Sequence, residues 1–148
     1  MIVLDAFAVL ALLKDEPAAE RVDGLIRAEP RPVLTAMGVA EVLDHLVRLV
    51  GVDEEEAVLD LAQLGLAEAY VVDGDLAGRA GRLRARRYHR RTCAVSLADC
   101  VAAETARRVG ASLATSDPHL LDTCAAEGIA WLALPDSRGV TWAGGARP

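Results

Sequence analysis

Four carboxylates stand where short apolar runs end or where new helices begin. Asp5 follows Ile2-Val3-Leu4 directly, and Asp117 follows the run that ends at Thr115. Asp99 sits in the first turn of a helix opened by Ser96-Leu97-Ala98, and Glu41 in the first turns of a helix after Val33-Leu34-Thr35. Gathered at one place, such like charges cost stability unless a cation neutralises them. Carboxylate oxygens are the donors that hard ions such as Mg²⁺ and Mn²⁺ prefer. An acidic cluster without a lysine or histidine nucleophile points to metal-assisted hydrolysis of a phosphodiester. Each acid also has a purely structural use. Asp5 can cap a helix, and Asp117-Pro118 is an N-cap with proline at the first helical position. Ser96-x-x-Asp99 matches a capping box. Glu41 shares a polar stripe with Asp44, His45 and Arg48 that can face water.

The elements that must position these acids follow from periodicity and punctuation. Short apolar runs predict strands at residues 2–4, 33–35, 69–72, 111–115 and 129–134. Helices are expected over 6–14, 18–28, 37–50, 53–64, an arginine-rich stretch to about 88, 96–109 and 118–127. Pro17 and the glycines at 51, 65, 110 and 128 supply stop signals. In 37–50 the apolar residues fall at 39, 42, 43, 46, 47 and 50, which is helical spacing. Strands alternating with helices predict a parallel sheet covered on both faces. Right-handed crossovers then collect every strand's C-terminal end on one edge, where sites form.

Composition bounds the reading. The 148 residues suit one domain, expected over 1–139 with a glycine-containing tail at 140–148. With 53% hydrophobic and 26% charged residues the chain is globular rather than disordered. No apolar run approaches the ~20 residues a membrane helix needs, and no basic region precedes Ile2, so neither a membrane span nor a signal peptide is expected. Three cysteines do not make a disulfide framework and fit reduced thiols in the cytoplasm. A net charge of −6 argues against a general nucleic-acid binder. Yet seven of the fifteen arginines lie between Arg79 and Arg91, a concentration that suits phosphate contacts or a solvated helix face. Several α/β chemistries are excluded. The first strand is followed by no G-x-G-x-x-G, and the single lysine, Lys14, is in no phosphate loop. The same lack of lysine excludes a receiver domain, and Phe7 stands where a D-x-D phosphatase needs its second aspartate.

The blocks Val3-Leu4-Asp5-Ala6, Ala36-Met37-Gly38-Val39-Ala40-Glu41-Val42, Ser96-Leu97-Ala98-Asp99 and Ala114-Thr115-Ser116-Asp117 occur in order, each after the appropriate element. In this the sequence resembles the PIN-domain ribonucleases, and within them the VapC-type toxins of bacterial toxin–antitoxin pairs. The resemblance runs from Ile2 to about Gly139. It implies a three-layer α/β/α sandwich on a five-stranded parallel sheet in order 3-2-1-4-5, and RNA cleavage dependent on Mg²⁺ or Mn²⁺. It makes Asp5, Glu41, Asp99 and Asp117 the catalytic and metal-binding acidic quartet. The mechanism expected of them has metal held chiefly by Asp5 and Asp99, Asp117 completing the shell, and Glu41 orienting or deprotonating the water or binding a second ion. It further implies a homodimer held inactive by a VapB-type antitoxin. Family members often carry a small hydroxyl residue just after the first aspartate, where this chain has Ala6-Phe7-Ala8.

Arg79, Arg82, Arg86, Arg87, Arg90 and Arg91 are the candidate RNA contacts. His119, two residues past Asp117, can reach the site or simply be a surface histidine at a helix start. His89, Cys93, Cys100 and Cys124 lack zinc spacing and read as core or surface residues. Trp131 reads as core, and Trp142 has no assigned role. The apolar faces of 6–14 and 37–50 serve the core or a partner. Two other functions fit the residues: a PIN-fold RNA-processing nuclease outside any toxin pair, and a catalytically silent α/β module whose carboxylates only cap helices.

Overall fold

The computed structural model describes residues 1–144; the last four positions of the expected tail, 145–148, lie outside the described residues. Its elements are β1 (Ile2–Leu4), α1 (Ala6–Leu13), α2 (Ala19–Arg27), β2 (Val33–Leu34), α3 (Ala36–Asp44), α4 (Glu54–Gln63), α5 (Gly74–Arg87), α6 (Leu97–Val109), β3 (Ser112–Thr115), α7 (Pro118–Glu127) and β4 (Trp131–Ala133). All strands are parallel and lie in the order β2-β1-β3-β4. Successive β1 residues point to opposite faces of the sheet. Leu4 packs with Leu34 and Ala114 against α1 to α4, whereas Val3 packs with Leu113 against α5, α6 and α7. Two separate cores back one thin sheet, which is the expected three-layer sandwich.

The expected strand at 69–72 takes its predicted place beside β2 but narrows to a single parallel bridge, Thr35 to Tyr70. Tyr70 donates to the Leu34 carbonyl at 2.8 Å, and Ala36 donates to the Tyr70 carbonyl at 3.0 Å. The cause is the length of β2. Pro32 precedes it and Thr35 already caps α3, accepting from the Gly38 amide at 3.0 Å, so little backbone is left to pair. The expected helix 37–50 is helical throughout but changes pitch. It is α to Asp44 and π-helical over His45–Val50, and closes at Gly51, whose φ of 84° is left-handed. Gly38 lets α3 lie close on β2, since a Cβ there would stand 2.6 Å from the buried Leu34 Cδ1.

The chain after β4 folds back on the domain rather than trailing loose. Pro135 bridges Thr141, and the Trp142 indole donates to Asp122 at 3.0 Å. Trp142 meets Trp131 edge-on, with centroids 4.8 Å apart, so it shields the outermost strand. Trp131 itself is 40% exposed rather than core. Among the described residues no helix is long and apolar enough to cross a membrane.

Candidate active site

The sheet register decides where the first carboxylate falls. Leu4 pairs with Ala114, so the residues that follow, Asp5 and Thr115, emerge side by side at the C-terminal edge. Asp5 is buried and stands at the N-cap position of α1, yet its side chain caps nothing. Instead Thr115 Oγ1 donates to Asp5 Oδ2 at 2.8 Å. The same Thr115 oxygen accepts the Asp117 amide at 3.0 Å. Thr115 has no exposed surface, and sequence reasoning gave it no role. The signal was a hydroxyl on the last residue of an otherwise apolar strand.

Helix α6 brings the second acid. Ser96 and Asp99 form the expected capping box, the Ser96 amide donating to Asp99 Oδ2 at 2.6 Å and the Asp99 amide to Ser96 Oγ at 3.0 Å. The Asp99 carboxylate is buried but has one oxygen outside that box. Helix α3 brings the third, because Glu41 lies on its half-buried flank rather than in a water-facing stripe. Ligand oxygens of Asp5, Glu41 and Asp99 lie within 4.8 Å of one another, and no other such group of three comes together among the described residues. Asp117 stands outside that close set. It caps α7 through Oδ1, accepting from the His119 and Leu120 amides at 2.7 and 3.4 Å.

The electrostatics follow from burial and crowding. Burial, then the neighbouring Asp99, raise the Asp5 carboxyl far above the usual range, with Glu41 and Asp117 adding and the Thr115 hydrogen bond opposing. Burial raises Asp99 too, opposed by its Ser96 hydrogen bonds, supported by Asp117 and opposed by His119. Burial and Asp99 push Glu41 to about 7. Burial and mutual repulsion both favour the protonated forms of these acids, and their all-oxygen donor set would suit a hard ion.

The arginines divide. Arg79 pairs with Asp75 at 2.9 Å, while Arg86 and Arg87 reach Glu127 at 3.4 and 2.6 Å. Glu127 ends α7 ten residues from Asp117, about 15 Å along the axis at 1.5 Å per residue. These three guanidinia are therefore engaged in ion pairs, two of them far from the carboxylates. Arg82, Arg90 and Arg91 carry no ion pair among the described residues, and the latter two lie in the turn leading to Ser96. The His89 imidazole shapes that turn by accepting the Arg91 and Thr92 amides at 3.3 Å. Cys100 and Cys124 are buried, which pushes both thiols up to about 12 and leaves them inert core groups.

Comparisons with known proteins bear on the fold and the family. No curated protein sequence matches the chain. Among solved structures it is similar to FitAcB from Neisseria gonorrhoeae, at 21% identity and a TM-score of 0.64 over 89% of this chain and 96% of that one. It is also similar to PAE2754 from Pyrobaculum aerophilum, at 23% identity and 0.57 over 82% and 84%. A toxin–antitoxin complex from Klebsiella pneumoniae shares 17% identity at 0.56 over 79% and 87%. At such identities these likenesses establish the fold. The family model for the PIN domain matches residues 2–126, a span that takes in all four acids and every strand except β4, and on that match the chain belongs to the PIN-domain family.

Proposed function

We propose that the chain is a Mg²⁺- or Mn²⁺-dependent endoribonuclease that hydrolyses RNA phosphodiester bonds, acting in the cytoplasm as the toxin of a toxin–antitoxin pair. The observation that carries this reading is the convergence of Asp5, Glu41 and Asp99 from three separate segments, with oxygens within 4.8 Å. Membership of the PIN-domain family and the likeness to a toxin–antitoxin complex support it.

Asp5 and Asp99 would hold the ion, joined by Asp117 through the oxygen not engaged in its helix cap. When bound, a divalent cation acidifies a water and offsets charge growing on the phosphoryl oxygens. Glu41, held near neutrality by burial and Asp99, is suited to orient the attacking water and take its proton. Thr115 keeps Asp5 and the start of α7 in mutual register through its shared hydroxyl. Arg82, Arg90 and Arg91 would meet substrate phosphates first, with Arg79, Arg86 and Arg87 available only at the expense of existing ion pairs. Met37, Leu49, Val50, Val58 and Leu59, all exposed, offer apolar surface to a VapB-type antitoxin or to a second copy in a homodimer.

The test is cleavage of RNA with and without Mn²⁺ by wild type and by Asp5→Asn. Asp5 is the cleanest target because it caps no helix and asparagine still accepts from Thr115. Activity should require the ion and fall by more than about 100-fold in the variant, beyond what loss of an outer partner of a metal ligand costs. Undiminished cleavage by Asp5→Asn would end the reading. Growth arrest on expression, relieved by a small co-expressed partner, is expected of a toxin and not of an RNA-processing nuclease.

A further inference from the structure

Phe7 is the single phenylalanine of the chain, and it stands 49% exposed although Ala6, Ala8, Val9 and Leu10 around it are buried. It lies two residues beyond Asp5. Its ring meets the His45 imidazole edge-on, with centroids 6.3 Å apart and planes at 82°. These two rings, together with Ala6, Leu10, Glu41 and Asp44, line a cavity of about 120 Å³. Glu41 thus belongs both to the carboxylate cluster and to this cavity. The helix widens to π pitch at His45, and such distortions gather at functional sites. A large apolar ring half-exposed at the edge of an acidic pocket, beside a second ring, offers a stacking face to a planar ligand.

We infer that Phe7 and His45 seat one nucleobase of the RNA strand beside the bond to be cleaved, an inference that rests on the nuclease reading. A phosphate held at the carboxylates places its own base one sugar away, and Phe7, two residues beyond Asp5, lines the cavity that Glu41 shares with the cluster. Stacking on Phe7 supplies attraction that every base can use. The His45 ring nitrogens supply a donor and an acceptor for the base edge. Asp44 contributes little, since both its oxygens are taken by Arg48 at 2.9 and 2.7 Å. The wider π-face of a purine stacks more strongly, so the seat favours a purine next to the cut.

The experiment compares wild type, Phe7→Ala and Phe7→Leu on short single-stranded RNAs of one sequence, intact or with one abasic nucleotide placed at each position around the cut. On intact RNA, Phe7→Ala should lower kcat/KM by about 5- to 150-fold, the range that loss of one stacked base spans. Phe7→Leu should recover only part of that. At one position the abasic RNA should cost wild type the same factor and cost Phe7→Ala nothing more, which is the signature of a direct pair. Equal losses on intact and abasic RNA at every position would overturn the seat while leaving the nuclease reading intact. Unchanged kcat/KM in Phe7→Ala with a shifted oligomeric state would also overturn it and mark Phe7 as a protein contact. Wild type that cleaves none of these RNAs, with a binding-competent Asp5→Asn that leaves 2-aminopurine fluorescence unquenched at every position, overturns the nuclease reading and the seat together.

Discussion

Glu41→Gln tests the crowding of the carboxylates without touching a helix cap. Burial and Asp99 raise Glu41 from 4.5 to about 7. Between those two values the unfolded chain has released a proton that the folded protein still holds. Metal-free stability therefore suffers nothing below the lower value, falls as pH rises through the window, and levels off above the upper one. At about 1.4 kcal/mol per pH unit the full loss is roughly 3.5 kcal/mol. Glu41 is only half-buried, so solvent screening reduces this to roughly 1–2 kcal/mol. Glutamine keeps the shape and removes the charge. In chelator, the variant should melt about 2–8 °C above wild type near pH 8 and match it near pH 4. Mn²⁺ should then invert the order. An ion at a hundredfold excess over its Kd stabilises wild type by about 2.7 kcal/mol, and the variant, which lacks the Glu41 charge beside the ion, by less. Calorimetric melts over this pH range read both effects. A variant less stable than wild type near pH 8, or an offset identical at both ends, would refute the crowding.

Thr115→Val should cost about 1–3 kcal/mol in denaturant melts, because Asp5 Oδ2 and the Asp117 amide both lose their buried partner. It should also lower kcat for RNA cleavage far more than it raises KM. Gly38→Ala should cost about 1–3 kcal/mol through overpacking against the buried Leu34, and thermal melts check it. Replacing Arg90 and Arg91 together by alanine should flatten the salt dependence of RNA binding by up to about 1.4 in log–log slope, at about 0.7 per phosphate contact on a single strand. Arg87→Ala, by contrast, should leave the slope unchanged and lower stability, since its guanidinium is already committed to Glu127 and the Ala126 carbonyl.

How much of this was legible in the sequence depended on whether the deciding contact was local. Helix α7 was predicted to the residue because Asp117-Pro118 opens it and Gly128, at φ 65°, closes it. The parallel sheet covered on both faces followed from short apolar runs alternating with helices, and the parallel pairing of β1 to β4 with a core on each side bears that out. The strand at 69–72 was half right, since its apolar residues are visible but the shortness of its neighbour β2 is set by Pro32 and the Thr35 cap. The π turn at His45 follows the same apolar spacing as an α-helix and leaves no trace in it. A run of arginines announces charge but not partners, and Glu127, 40 residues from Arg87, could be matched to it only in space. Thr115 was hidden for the same reason, because its partner Asp5 is 110 residues away.

Capping and the proposed metal binding are not rival explanations of these acids, because the geometry leaves room for both. Asp99 and Asp117 each spend one oxygen on a helix start, which fixes the carboxylate's orientation and leaves the other oxygen unbonded by the cap. Asp5 caps nothing and is fixed by Thr115 instead. Helices α1, α6 and α7 thus all begin beside the cluster, and their positive ends favour negative charge there by about 0.3–1 kcal/mol each. Repulsion is larger. Two carboxylates at the 4.8 Å limit of the cluster repel by about 3.5 kcal/mol at an effective dielectric constant near 20. Three such pairs sum to roughly 10 kcal/mol, several times what three helix ends return. The fold therefore orients these acids but does not neutralise them. The repulsion can be relieved by retained protons, as the raised pKa values of Asp5, Glu41 and Asp99 indicate, or by a cation, and the proposed metal site is the second of these.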